Sequence, residues 1–238
     1  MPKKKVYGIN DQREKFLAGC EAIEKARRKY CKSFNVLGID PARGATGICN
    51  REDDIDFFGD TITSKYKGFP KVIEIEKGLK PYVISDERYF VGIEGYAYNS
   101  RWGREAAGEL GGVIRRLLYY YKRPLLVISP LTIKAWIGAS KKSNIMMEVL
   151  DKYGIKTKND NEADAVVIAE IVNKVLHMAH FVVYKGIKDP EEVRVLFKEE
   201  EYKNNSWLMK LYKYQAKSIF SIIYKEGEEV TFFRKIKS

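Results

Sequence analysis

The chain has 238 residues, 45% of them apolar and 32% charged, which is enough apolar side chain for a packed core and excludes wholesale disorder. No apolar run approaches the roughly 18 residues of a membrane span, and the opening MPKKKVYGINDQ lacks the apolar stretch of a secretory leader, so neither a membrane nor a secreted protein is expected. Forty-three lysines and arginines against 32 acids leave a net charge of +11, which favours a polyanion partner, nucleic acid first and an anionic membrane surface second.

The first periodic segment is residues 11–30. Phe16, Cys20, Ile23 and Tyr30 recur among charges at near-helical spacing, with Asn10 or Asp11 to cap the start. The period then changes. FNVLGID, residues 34–40, is a short apolar run of the kind that fills a buried strand. PARGATG follows as a turn, a second strand is expected from Thr46, and a third over residues 55–61 after the acidic connection REDDID. Residues 62–81 read as loop with a possible helix entered at Pro70. YFVGIE, residues 89–94, is another buried strand.

A helix over residues 104–122 carries Ala107, Leu110, Ile114, Leu117 and Leu118 on one face, and LLVIS, residues 125–129, is a strand. Ser129 then caps and Pro130 opens the next helix. A helix over 144–153 stops at Gly154, and the last core helix covers 162–176. Beyond residue 181 the pattern gives a short FVVY strand, a helix from Pro190, another near Trp207 and a final GEEVTFF strand. Hairpin-linked strands followed by strands alternating with helices imply an α/β fold with a mixed sheet covered by helices.

Cysteine and histidine carry little chemistry here. Cys20, Cys31 and Cys49 are an odd, scattered set without a CxxC pair; they fit neither a disulfide framework nor a zinc site, and suit a reducing cytosol. His177 and His180, the only histidines, are three apart on a helix and read as satisfied helix residues rather than a metal pair.

The informative residues are acidic. Asp40 ends the first buried strand, Glu94 ends the fourth, and Asp164 falls in the first turn of the last core helix. Strand ends of an α/β sheet project into a shared crevice, and an unpaired carboxylate there is costly. A hard divalent cation is the usual means of holding such groups together.

The motifs around these residues resemble those of the RuvC family of Holliday-junction endonucleases, within the ribonuclease H-like superfamily. LGIDPARGATG is similar to the family's first motif, with Asp40 at the ligand position, and VGIEGYAYN to the second, with Glu94. GELGGVIRRLL matches the G-x-x-x-G-V helix at Gly108, Gly112 and Val113. ISPLTIKAWIGASKKSN resembles the segment with two DNA-contacting lysines, here Lys134 and Lys142, and NEADAVVIAE the last motif, with Asp164. The motifs keep family order over residues 34–178. One position departs from the pattern: where the family carries an aspartate or histidine three residues before the last ligand, this chain has Asn161. Asparagine oxygen can coordinate a metal but brings no charge. Asp160, four residues before Asp164, shares its helix face if the helix has already begun there and is the first choice for a fourth ligand, Asn161 the second, while Glu162 points elsewhere on a regular helix. Asp160 or Asn161 could instead cap that helix.

The resemblance implies metal-assisted phosphodiester hydrolysis with two Mg2+ or Mn2+ ions roughly 4 Å apart. Asp40 would bridge them, Glu94, Asp164 and Asp160 would complete the set, and Lys142 would steady charge on the phosphate. It implies four-way DNA junctions as substrate, a homodimer matching the junction's twofold symmetry, and a cytoplasmic, nucleoid-associated protein, in the host cytoplasm if phage-encoded. Ala106, Ala107, Gly108, Gly111 and Gly112 would serve that dimer interface or helix-on-sheet packing.

Trp102 between Arg101 and Arg104 is placed to stack on an unpaired base near the crossover or to fold onto the core; Tyr96 and Tyr98 are weaker candidates. Residues 202–225 interleave five lysines with Trp207, Tyr212 and Tyr214 and contain no acid after position 202. The implied organisation is a basic N-terminal helical arm over 1–32, a catalytic domain over 33–180, and a basic, aromatic-rich C-terminal extension over 181–238. Their net charges are +6, +2 and +3, so most of the surplus lies outside the motif-bearing part. The rival readings are a junction-binding protein without cleavage and an actin-like ATPase or phosphotransferase, for which GIDPARGATG would be the first phosphate loop but no second glycine-rich loop is present.

Overall fold

Short apolar runs pair side by side, and the helices between them cover both faces of the resulting sheet. The computed structural model describes residues 9–31, 33–42, 44–52, 56–85, 89–95, 104–138, 144–188, 220–223 and 229–232. The elements are α1 (Ile9–Tyr30), β1 (Val36–Asp40), β2 (Ala45–Glu52), β3 (Asp56–Thr63), α2 (Phe69–Ile84), β4 (Phe90–Glu94), α3 (Arg104–Tyr120), β5 (Leu125–Ile128), α4 (Pro130–Ile137), α5 (Ile145–Tyr153), α6 (Asp160–Tyr184), β6 (Phe220–Ile223) and β7 (Glu229–Phe232). They form one sheet in the order β3-β2-β1-β4-β5-β6-β7. β1, β2 and β3 are antiparallel neighbours, β1, β4 and β5 are parallel, and β6 and β7 continue antiparallel from β5. β1, β3, β4 and β5 therefore all end at one edge of the sheet.

Side-chain alternation divides the strands between two cores. Leu37, Ile39, Val91 and Ile93 face α2 and α3, packing with Ile75, Leu79, Leu110 and Ile114. Val36 and Phe90 face the other way, into the core built by α1, α4, α5 and α6. Both faces of the central strands are covered, which is why these strands read as continuous apolar runs rather than alternating ones.

α6 organises the second core, and it approaches the sheet closely because glycines lie beneath it. A Cβ on Gly38 would collide with the Ala165 carbonyl oxygen and stand 2.8 Å from the Ala169 amide nitrogen; one on Gly47 would collide with the Asn161 carbonyl and stand 2.8 Å from the Glu162 amide nitrogen. Farther along the helix, Gly92 lies under Ile168 and Val172. On the side of β2 nearer the helix's middle, Arg51 pairs with Glu170 in the buried interface and its guanidinium lies 4.8 Å from the Phe57 ring centroid.

The helix departs from expectation in length. One helix spans Asp160–Tyr184 where the pattern indicated a helix over 162–176 and a strand over 181–184. FVVY favours strand locally, but packing overrides propensity: Met178, Ala179 and Val182 are buried in the second core. α6 is also long and apolar enough to cross a membrane by length and composition, although no run of that kind was expected. With 72% of its apolar stretch buried inside the protein, it is a core helix.

α1 lies along α6 and buries Cys20, Ile23 and Ala26 in the same core. Both histidines pack against this core. His177 stacks on Phe34 at 4.2 Å between centroids, and His180 Nδ1 is 3.0 Å from Glu24 Oε1. Burial opposes the Glu24 charge, but hydrogen bonds from Arg27, His180 and Arg28 outweigh it and hold the carboxyl down at about 2.

Several ends fall where the residues place them. The Ser129 hydroxyl accepts from the Leu131 amide at the start of α4, Pro130 is its first residue, and α4 and α5 stop at Gly138 and Gly154, both with positive φ. The terminal GEEVTFF strand is β7, Glu229–Phe232. The helices expected from Pro190 and near Trp207 lie outside the described residues.

Candidate active site

β1 and β4 run parallel with Val36 beside Phe90, Leu37 beside Val91, Gly38 beside Gly92 and Ile39 beside Ile93. Continuing that register by one residue sets Asp40 beside Glu94 at the carboxyl ends of the two central strands. Alternation puts Asp40 on the same face as Gly38, and Glu94 on the same face as Gly92, and both glycines lie under α6. The two carboxylates thus share a face and an edge. Asp164 comes to them from above, one residue before the Ala165 carbonyl that closes on Gly38. Asp40 and Asp164 are buried, with 3% and 7% of their surface exposed, and Glu94 is half-buried.

The start of α6 decides which neighbours join Asp164. The cap is neither Asp160 nor Asn161 but Asn159, whose side-chain oxygen accepts from the Glu162 amide at 2.9 Å. Its amide nitrogen donates to Thr61 Oγ1 at 3.0 Å, tying the cap to β3. Asn161 donates through Nδ2 to the Ala45 carbonyl at 2.8 Å, which commits its amide to β2. Glu162 is buried on the β3 flank of the helix: a Cβ on Gly59 would lie 2.6 Å from its Oε1, and its Oε2 accepts from the Lys158 amide at 2.9 Å. Asp160 and Asp164, four residues apart, lie on the opposite flank, towards β4. Asp160 is thus the acidic residue near the helix start that shares the flank of Asp164. The cap was legible as Asn159 three residues before Glu162, the spacing of a capping box; Glu162 reaches one residue past the usual partner, to Lys158.

These residues fit a hard divalent cation in kind. The donors are all carboxylate oxygens, and a cation there would offset the burial of like charges. They are not yet gathered: among the described residues, no three histidine, cysteine, aspartate or glutamate side chains form a group that could hold a metal ion.

The loop after Asp40 is held by its own backbone. The Ala42 amide donates to the Asp40 carbonyl at 2.9 Å, and the Thr46 hydroxyl to the Ala42 carbonyl at 3.2 Å. On the other side of Glu94, the Gly95 amide donates to the Ile128 carbonyl at 2.7 Å, so α4 begins beside the carboxylate edge. Lys134, on that helix, is exposed. Arg104 opens α3, but its side chain lies outside the described residues, as do Tyr96, Tyr98, Arg101, Trp102 and Lys142. Of the small residues on α3, Gly111 is buried, whereas a Cβ on Gly108 or Gly112 would meet nothing described within 4 Å. Those two are not required for packing on the sheet.

A mixed sheet in this strand order, with acidic residues at the ends of its two central parallel strands and a long helix across them, is a ribonuclease H-like fold. Among solved structures it is similar to Thermus thermophilus RuvC in complex with a Holliday junction substrate, with a TM-score of 0.50 and 17% identity over 61% of this chain and 94% of that one. Thermus thermophilus RuvC in a second structure matches with a TM-score of 0.48 and 16% identity over 63% and 96%. The yeast mitochondrial Holliday junction resolvase Ydc2 matches with 0.46 and 16% over 70% and 96%. No protein-family model and no curated protein matches the chain.

Proposed function

We propose that this protein is a metal-dependent endonuclease that resolves four-way DNA junctions by paired phosphodiester hydrolysis, acting as a homodimer in recombination and repair. The observation that supports the reading is that Asp40 and Glu94 end neighbouring parallel strands beneath α6, the helix that carries Asp164, on a fold similar to a RuvC bound to a Holliday junction substrate. Asp40, Glu94, Asp164 and Asp160 would hold magnesium or manganese. The bound cations would supply a hydroxide nucleophile and neutralise charge at the scissile phosphate. Asp40, the most buried of the set, pairs with Gly47 of β2 and directly follows Ile39, which pairs with Ile93 of β4. Lys134, and with it Lys142, would meet the phosphate backbone beside this edge, with Arg101, Trp102 and Arg104 at the crossover. A twofold pair of sites matches the twofold symmetry of a junction, and the open small-residue face of α3 supports that pairing.

A second reading, junction binding without cleavage, is favoured by one observation, the absence of a gathered three-donor group among the described residues. Magnesium-dependent, symmetric nicking of synthetic four-way junctions separates the two. The ligand assignment has its own test. Asp160→Asn is expected to weaken manganese binding at least about tenfold by titration calorimetry, because each ligand charge counts in a hard-cation site. Glu162→Gln is expected to leave that affinity within about twofold and to lower the melting temperature instead, because it loosens the helix start. Equal losses of affinity in the two variants would remove Asp160 from the site.

A further inference from the structure

β3 ends at Thr63, which pairs with Ala45, so the chain leaves β3 at the same sheet edge that carries Asp40 and Glu94. The segment that follows, SKYKGFPK over residues 64–71, holds Lys65, Lys67 and Lys71, and no acid occurs from Thr61 to Ile73. Among the described residues none of the three lysines is paired with a carboxylate, while the next acids along α2 are engaged, Glu74 with Lys77 at 3.0 Å and Glu76 with Arg116 at 3.0 Å. Tyr66 and Phe69 are 47% and 54% exposed, large aromatic surfaces set between the lysines. Lys71 Nζ donates to the Gly44 carbonyl at 3.3 Å, which ties this segment to the loop that leaves Asp40 and still leaves the ammonium two donors. A cavity of about 340 Å3 opens there between Gly44 and Lys67, floored by Val72, Ile75 and Leu110 of the α2–α3 core.

We propose that residues 64–71 form a second DNA track, which holds the phosphate backbone of the strand entering the carboxylate edge, with Tyr66 and Phe69 against its sugars and unpaired bases. The inference rests on the nuclease reading above and adds a partner surface to it. β3 stands two strand spacings from β1, on the order of 10 Å. The track therefore begins within a few nucleotides of the Asp40 end of β1. Ammonium groups without a carboxylate partner, that of Lys65 lying over the Tyr66 ring at 5.6 Å from its centroid, together with the exposed rings suit a backbone that is partly unstacked, as it is near a crossover. Residues 33–180 carry 21 basic and 19 acidic side chains, so an acid-free stretch with three lysines stands out on a nearly neutral body.

The test is the salt dependence of four-way junction binding by the full chain and its Lys65→Gln/Lys67→Gln variant, with Lys71 kept so that the tie to Gly44 survives. The slope of log affinity against log salt is expected to fall in magnitude by about 1.8, at about 0.9 per phosphate contact, with binding about tenfold weaker. A Lys77→Gln/Lys80→Gln variant on α2 is the control and is expected to keep the parent slope. If the parent binds junctions and the Lys65/Lys67 variant gives the same slope, or if the two variants lose slope equally, the track is overturned while the nuclease reading stands. A parent chain that binds no DNA would overturn both.

Discussion

Replacing Asp40 with asparagine is expected to slow junction cleavage by about 1,000-fold or more while junction binding stays within a few-fold of the parent. The magnitude is that of removing a central group from a site whose members act together. The substitution keeps the shape of the side chain and removes its charge. Asp40 occupies a strand position that pairs with Gly47 on one side and continues the register to Glu94 on the other, so asparagine fits without moving β1. A buried carboxylate near other carboxylates costs folding free energy when no cation is present. The metal-free Asp40→Asn variant is therefore expected to melt no lower than the parent. Loss of activity together with unchanged or raised thermal stability marks a residue kept for chemistry; equal loss of activity and stability would mark Asp40 as structural.

Gly38→Ala carries the largest expected effect on the fold. The added methyl group would collide with the Ala165 carbonyl and stand 2.8 Å from the Ala169 amide nitrogen. Both partners are backbone of α6, which is pinned by Asn161 to Ala45 and by the Arg51–Glu170 pair, so neither can step aside alone. A cost of about 3 kcal/mol follows, a fall of roughly 6–12 °C in melting temperature for a domain of this size. Gly108→Ala is the contrast. It lies in the interior of α3 with nothing described within 4 Å of its added methyl, and gains helix propensity of about 0.5–1 kcal/mol. Its melting temperature is expected to hold or rise in calorimetry. Gly38→Ala should also lower activity, because the helix it displaces carries Asp164.

The difference between these two glycines shows what the amino-acid sequence made legible. The strands that carry Asp40 and Glu94 were readable because they are buried on both faces, so each is an unbroken apolar run that ends abruptly in an acid. Ser129, Pro130 and Gly154 announced their helix ends through local chemistry alone. α6 was less legible because burial on nearly every side removes its polar stripe, and the β-branched pair in FVVY imitates a strand. The cap was misplaced by one or two residues in a run, NDNE, in which three residues can cap. The choice of Asp160 as the proposed fourth ligand depends on which flank of α6 faces β3, and Glu162 packs on Gly59 there, a contact far apart in the sequence. Residues 64–71 read only as loop, and it is the pairing of Thr63 with Ala45 that brings their lysines to the same edge as Asp40.

The central claim, an acidic metal-dependent centre that cuts branched DNA, is tested most directly by incubating the protein with labelled synthetic four-way junctions and magnesium, beside linear duplex of the same sequence and a chelator control. Paired nicks placed symmetrically about the crossover, dependent on magnesium and missing from the duplex, are the expected result. Junction binding with no cleavage in magnesium or manganese, or equal cutting of duplex and junction, would contradict it.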